Sequence, residues 1–470
     1  MSGFNGDIKK VFKFFFNNRI FPYLSIIIFI AILYYPSFEC HFKTEDFTLI
    51  EDARNNFSLY NSFVTEFFSP QFYRPITRRI FFSISYALFE LNPTGSRIIN
   101  IILFILNNFL VYEIASILTK RKDIALIASI FYFTRGAHLI AIYWITAGFQ
   151  ENGVAFWVLS TILLYLQYIN SENKLFYISS LMCSIFALLS KENSVILPAL
   201  IFLIEIYKQN SKGDINYKIL LLRIIPFFML ALIICLPRIY ILRPLILDSP
   251  YKMQFSFSVF FNNIAFYVFN SFNNYIEILL LGTLSLLAFL DSENRKFAYF
   301  SIAWFLIGLL PQLFLAEHPR PYYLNISLVG FSILLSVGMK YMCEKIHTMK
   351  YLVAIVLLSA CIVSARINIH TNEYVKSFYE YEKFINNILA NLKNAFPSFP
   401  DNSLIYIKNV SPDMVWLLGY GSVISLNYNN KLAVYFEGFS KKLPEKYSRT
   451  FYFKYETNSY TLKFIEEKSK

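Results

Sequence analysis

FPYLSIIIFIAILYYPSF, residues 21–38, is an apolar run without a charged side chain, and what it is followed by decides how the chain is read. Lys9, Lys10, Lys13 and Arg19 precede it, which is the layout of a secretory signal peptide. Cleavage would need small residues at the end of the run. This one ends YYPSFECHF, with no A-x-A, so it reads as an uncleaved first membrane span with its basic end in the cytoplasm. Composition points the same way: of 470 residues, 56% are hydrophobic, 19% aromatic and only 16% charged, more apolar surface than water tolerates. The chain is expected to be a polytopic α-helical membrane protein.

Outward from that run, strongly apolar segments recur at 97–118, 124–142, 152–169, 175–189, 193–207, 219–242, 275–290, 298–316, 324–340 and 351–365. With the first they make about eleven transmembrane helices, several near the short limit for a hydrocarbon layer of roughly 30 Å. IFFSISYALFEL (80–91) is too short to span and is expected along the outer interface. Threading the spans alternately puts 1–20, 119–123, 170–174, 208–218, 291–297 and 341–350 inside, each with at least one Lys or Arg, as the positive-inside rule asks. The net charge of +12 is thereby read as loop chemistry; no basic run is interleaved with stacking aromatics, which excludes nucleic acid as a partner. The five cysteines, Cys40, Cys183, Cys235, Cys343 and Cys361, are scattered without a CxxC pair, which indicates neither a disulfide framework nor a cysteine metal site.

This threading sends four polar clusters to one face: Glu51 and Asp52 in the first outside loop (39–96), GFQEN at 148–152, SKEN at 190–193 and EHPRPYY at 317–323. From about Ile367 the long apolar runs stop. NEYVKSFYEYEKFINNILANLKNAF (372–396) has helical periodicity, and 404–409, 432–438, 449–456 and 460–466 alternate like strands, with a short helix between the first two. The organisation expected is a transmembrane domain over 1–366 and a small extracytoplasmic α/β domain over 367–470.

QFYRPITRRIFFSISYALFELNPTGSRIINIILFILNNFLVY (71–112) resembles the segment after the first outside loop of bacterial GT-C glycosyltransferases, and of the membrane half of TPR-containing O-mannosyltransferases. AHLIAIYW (137–144), ALLSKENSVILPALIFLIEIY (187–207) and AEHPRPYYLNISLVGF (316–331) keep that family's order, so the resemblance covers roughly residues 20–340. Two departures stand out: the usual ERYLYLPS is here EHPRPYYLNIS, and Asn107 stands where a His is common.

The resemblance implies an integral glycosyltransferase in the cytoplasmic membrane, moving a sugar from a polyprenyl-phosphate donor to a glycan, lipid or protein acceptor on the outer face. Such a transfer needs a carboxylate to take the acceptor's proton and positive charge near the departing phosphate. The family's first-loop acids correspond to Glu51 and Asp52; Asp52 is read as the base, with Glu51 its neighbour or alternative, against the reading that both are solvated loop acids. Lys191, beside Glu192, is read as a donor-phosphate contact or as a snorkelling side chain paired to Glu192. Arg320, held between two prolines, points with Tyr322 and Tyr323 to the same site or to an aromatic belt. Arg74 is expected to orient the acidic loop by ion pairing, and Arg78 and Arg79 to anchor lipid headgroups. His138 and Glu151 complete the candidate substrate-binding set, each with a bland alternative as a packing residue and a helix N-terminal acid. No His/Asp cluster has metal spacing; a divalent ion bridging Glu51 and Asp52 to the phosphate is left open, and no cofactor is required. The rival readings are a flippase or transporter, whose functional polar groups would sit nearer mid-membrane, and an O-antigen ligase or polymerase.

Overall fold

The computed structural model describes residues 19–68, 72–210, 216–247, 251–290, 292–346, 350–428, 432–439, 447–456 and 461–469; the basic residues Lys9, Lys10 and Lys13 lie outside them. Among the described residues six helical stretches are long and apolar enough to cross a membrane: Phe21–Glu39, Pro93–Thr119, Ile145–Ser171, Tyr217–Ile241, Arg295–Phe314 and Tyr351–Ala395. Two bent pairs, Lys122–Phe133 with Gly136–Tyr143 (53°) and Phe257–Asn270 with Tyr275–Leu287 (99°), bring the number to eight if each counts as one crossing. The multi-pass helical membrane protein expected from composition is therefore present, whereas eleven spans are not reached.

The difference has a physical cause. The segment expected at 175–189 is the 15-residue helix Lys174–Leu188, about 22 Å long at 1.5 Å per residue, short of a hydrocarbon layer of roughly 30 Å. The segment expected at 193–207 spends its first residues on a 3₁₀ turn, Glu192–Ile196, before the 14-residue helix Leu197–Asn210. The Ser327–Lys345 helix is buried from Ser327 through Met339, so its serines face protein. A helix enclosed in a bundle has no need of the length or apolarity that lipid demands. The sequence also passed over Phe257–Asn270, whose Asn262, Asn263 and Asn270 dilute its hydropathy.

Chain ends of the helices follow local chemistry. Asn92, Asn173, Ser256, Asn274 and Asn372 each accept a backbone N–H of the helix they precede. Inside the bundle, asparagines join helices that apolar contacts alone would leave free to slide. Asn152 Nδ2 donates to Asn100 Oδ1 at 2.9 Å, Asn107 Nδ2 to the Asn152 carbonyl at 2.9 Å, and Asn325 Nδ2 to the Glu151 carbonyl at 3.0 Å. With little hydrophobic force between helices in lipid, such bonds fix the register.

The C-terminal part follows its alternation. Strands β1 (Ser403–Lys408), β2 (Ala433–Phe436), β3 (Arg449–Glu456) and β4 (Thr461–Ser469) form one sheet in the order β2-β1-β3-β4, parallel except for the antiparallel β3–β4 pair. Ile405, Ile407, Phe451 and Phe453 share the buried face and pack with Ile385, Ile388 and Leu392 of the Glu373–Ala395 helix. The same hydrophobic cluster takes in Phe42, Phe47, Leu49 and Ile50 of the first loop. The loop helix Glu45–Asn56 is thus built into the base of the C-terminal sheet domain.

Candidate functional site

Three of the four polar clusters meet. A cavity of about 410 Å³ lies where the start of the Ile145–Ser171 helix, the Pro321–Leu324 turn, the first loop and the C-terminal domain converge. Gln150 and Glu151 enter it from the helix, Lys191 from the following turn, and Arg320, Tyr322 and Tyr323 from the proline-flanked stretch. Arg320 has the extended backbone imposed before a proline, φ −133° and ψ 136°, so its direction is set by the chain. Among the described residues its guanidinium makes no ion pair, although it lines the cavity.

Lys191 does have a partner. Its Nζ pairs with Glu151 Oε1 and lies 4.8 Å from the Tyr323 ring centre and 5.5 Å from that of Tyr322. Burial pushes the Lys191 amine below its usual range, and the Glu151 carboxylate offsets part of this. Glu151 is itself 1% exposed, and its second oxygen, Oε2, has no hydrogen-bond partner among the described residues.

Arg74 is held by Glu192, through Nη2 at 2.7 Å and Nε at 3.0 Å to Oε2, and by Gln150 through Nη1. It therefore braces Glu192 and Gln150 to one another and does not pair with the acidic loop. Burial alone would lower the Arg74 pKa, but Glu192 reverses the sign and raises it. His318, in the same cavity with its ring 4.5 Å from that of Tyr251, is driven down to about 4 by burial and then by Arg320 and Lys191; it is a neutral imidazole at pH 7.

Glu51 and Asp52 lie elsewhere. Glu51 accepts hydrogen bonds from the hydroxyls of Ser422 and Ser425 in the C-terminal domain. Asp52 pairs with Arg79, which also holds Glu66, so Arg79 is an intramolecular partner of the acidic loop. Neither acid lines the cavity. His138, 1% exposed, packs between the rings of Phe104 and Tyr132 at 5.0 and 4.6 Å and does not line it either.

The acid that the first loop does present is Glu45, two helical turns before Asp52 and on the same side of the Glu45–Asn56 helix. Among the described residues it makes no hydrogen bond or ion pair, but its charge acts on Arg78, another cavity residue, partly offsetting the lowering that burial imposes on that guanidinium. Its neighbour Asp46 is buried and points away, into Thr146. Burial pushes Asp46 up to about 6 in spite of three hydrogen bonds that favour its charge. Nothing in the spacing of the sequence distinguished Glu45 and Asp46 from Glu51 and Asp52. Tyr374, Phe378 and Trp416 of the C-terminal part close the cavity rim, a contribution that no motif announced.

Behind the cavity lies a second, mainly apolar pocket of about 250 Å³, which shares Phe72, Arg74, Lys191, Tyr251 and Tyr323 with it and continues among Leu188, Val195, Ile234 and Ile239. Glu192 lines this second pocket. A ligand with a charged head and an apolar tail would find both halves here. Among the described residues no group of three or more His, Cys, Asp or Glu is placed to hold a metal ion.

No family model matches the sequence, and no curated protein matches it. Solved structures do. ArnT from Cupriavidus metallidurans bound to undecaprenyl phosphate superposes over 94% of both chains with a TM-score of 0.54 at 12% identity. Its apo state gives 0.55 over 93% of both chains at 12% identity. The apo oligosaccharyltransferase of Archaeoglobus fulgidus gives 0.52 at 12% identity, over 86% of this chain and 64% of that one. The fold is shared with ArnT and with the Archaeoglobus fulgidus oligosaccharyltransferase. Within this shared fold the cavity lies between the helical bundle and the C-terminal sheet, on the face that carries the first loop.

Proposed function

We propose that this chain is a glycosyltransferase that takes a sugar from a polyprenyl-phosphate donor and passes it to an acceptor hydroxyl or amide on the outer face of the cytoplasmic membrane. The observation that carries the reading is that one cavity holds a carboxylate, Glu45, and a guanidinium, Arg320, neither of which makes an ion pair among the described residues, and shares Arg74 and Lys191 with an apolar pocket. The GT-C fold shared with ArnT, which has been seen bound to undecaprenyl phosphate, supports the donor class. The alternation of basic loops in the sequence supports the orientation.

In the reaction Glu45 accepts the acceptor's proton as its oxygen or nitrogen bonds to the anomeric carbon, and the bond from that carbon to the phosphate oxygen breaks. Arg320 and Lys191 receive the charge that grows on the departing phosphate, in a cavity where burial keeps the local dielectric low. The polyprenyl chain lies in the apolar pocket lined by Ile234 and Ile239 of the Tyr217–Leu247 helix together with Leu188, Val195, Pro311 and Leu315. Glu45, in place of Asp52, is assigned as base because Asp52 is committed to Arg79 and does not line this cavity. Gln150, Glu151, Tyr322 and Tyr323 offer the polar and aromatic contacts by which the sugar is held.

The test is reconstitution of the purified protein in bilayers with a panel of polyprenyl-phosphate sugars, followed by mass spectrometry of the acceptor pool. Transfer by the parent chain and its loss in Glu45→Gln is the expected result. Failure of the whole panel to bind, read as unchanged thermal stability with undecaprenyl phosphate, would remove the donor class.

A further inference from the structure

Asp46 is 1% exposed and works on a helix that begins a hundred residues later. Its Oδ1 accepts the backbone N–H of Thr146 at 2.7 Å and the Thr146 hydroxyl, while Oδ2 accepts the backbone N–H of Lys43 at 2.8 Å. Thr146 is the second residue of the Ile145–Ser171 helix, and Trp144, at that helix's own cap position, supplies no side-chain acceptor. The orphan N–H at the helix start and the positive end of its dipole are therefore satisfied from outside the helix, by the first loop.

The same two segments are joined a second time. Arg97, fully buried, donates to the Cys40 carbonyl at 3.0 Å, just before the loop, and to the Tyr143 carbonyl at 2.8 Å, just before the helix. These two ties hold the loop at one distance from the helix in the structure. Glu45 is the residue next to Asp46; Gln150 and Glu151 are four and five residues along from Thr146 and grip Arg74 and Lys191.

We propose that Asp46 is a positioning residue: by capping the Ile145–Ser171 helix in trans it fixes the spacing between Glu45 and the donor-phosphate side of the cavity. The proposal rests on the reading of Glu45 as the base. A carboxylate suits the task because it accepts three hydrogen bonds and donates none, whereas an amide turns a donor toward one of the N–H groups. A displacement of the base by about 1 Å is enough to slow a group transfer on the order of a hundredfold while leaving the donor's own contacts untouched.

The test uses the full chain in bilayers with Asp46→Asn, Thr146→Val and Thr146→Ser, reading kcat for transfer, affinity for undecaprenyl phosphate alone and Tm. Asp46→Asn and Thr146→Val are expected to lower kcat about 10- to 100-fold with undecaprenyl-phosphate affinity within about threefold of the parent. Thr146→Ser, which keeps the hydroxyl, recovers most of the loss seen in Thr146→Val. Wild-type kcat in both Asp46→Asn and Thr146→Val overturns the proposal. So does a parallel fall of kcat, phosphate affinity and Tm without rescue by serine, because that is the signature of a structural cap only. Glu45→Gln at the wild-type rate removes the base and the spacing proposal together; a slow Glu45→Gln beside a fast Asp46→Asn and Thr146→Val removes the spacing proposal alone.

Discussion

Arg74 closes on Glu192 through two nitrogens, at 2.7 and 3.0 Å from one carboxylate oxygen, and its third nitrogen goes to Gln150. Arg74 is thus already occupied, whereas Arg320, which lines the same cavity, makes no ion pair among the described residues. Arg320→Gln should weaken binding of undecaprenyl phosphate about 10- to 100-fold, the range of one charge-assisted hydrogen bond or two. Glu192→Gln should lower Tm without weakening that binding, since it releases a positive charge at the cavity's edge. Binding isotherms for the two variants check the contrast, and equal losses in both would place the phosphate on the Arg74 side.

Glu45→Gln keeps the size of the side chain and removes the base, and should lower turnover by about two to four orders of magnitude while donor binding persists. Asp52→Asn should cost less than tenfold, because it alters a pairing with Arg79 and not the cavity. Initial rates of the two variants under saturating donor distinguish them; the reverse order would return the role of base to Asp52.

The fold was legible wherever one face of an element meets water or lipid along its whole length. The strands around Tyr406 and Tyr452 alternate because only one face of their sheet is buried, and the helix that follows Asn372 shows its period for the same reason. Ser327–Lys345 is enclosed by protein, so its sequence has no outside face and reads like a span. The clusters at Gln150–Glu151, Lys191 and Arg320 were found because charges beside apolar runs are costly unless they meet a partner or a ligand. That Glu45 lines the cavity while Asp52 does not was beyond the sequence: both acids lie on one helix face, and it is Asp52 that pairs with Arg79.

Asp46 also sets a pH dependence. Its charge faces Lys43 on its own segment, Arg97 from the Pro93–Thr119 helix and Tyr381 from the Glu373–Ala395 helix, and burial still holds its pKa at about 6, above the unfolded value of 3.8. A carboxyl raised in the folded state adds stability that is complete below the unfolded pKa and is lost as pH rises through the folded one. The parent should therefore gain on the order of 1 kcal/mol relative to Asp46→Asn as pH falls from about 7 to 5. Paired melting curves at the two pH values read this directly; a constant difference would show that Asp46 does not titrate there.

Gly338 lies so close to the Leu284 carbonyl that an added Cβ would overlap it. Gly338→Ala should separate the Ser327–Lys345 and Tyr275–Leu287 helices and cost about 1–3 kcal/mol, seen as a lower Tm in detergent. An unchanged Tm would mean that the two helices are not in contact at this depth.

Several of the ties on the loop helix that bears Glu45 come from residues synthesised last. Thr44 N–H donates to the Tyr381 hydroxyl at 3.0 Å, Thr48 to the Gly419 carbonyl at 3.1 Å, and Glu51 receives Ser422 and Ser425. While the ribosome is still working through the membrane helices, those partners do not yet exist, and the ties within reach are the ones to Thr146, Arg97 and Arg79. A half-made chain already inserted in the bilayer would carry Lys191 and Arg320 before Tyr374, Phe378 and Trp416 are there to complete the cavity, so the order of synthesis makes the closing of that cavity one of the last events in making the protein.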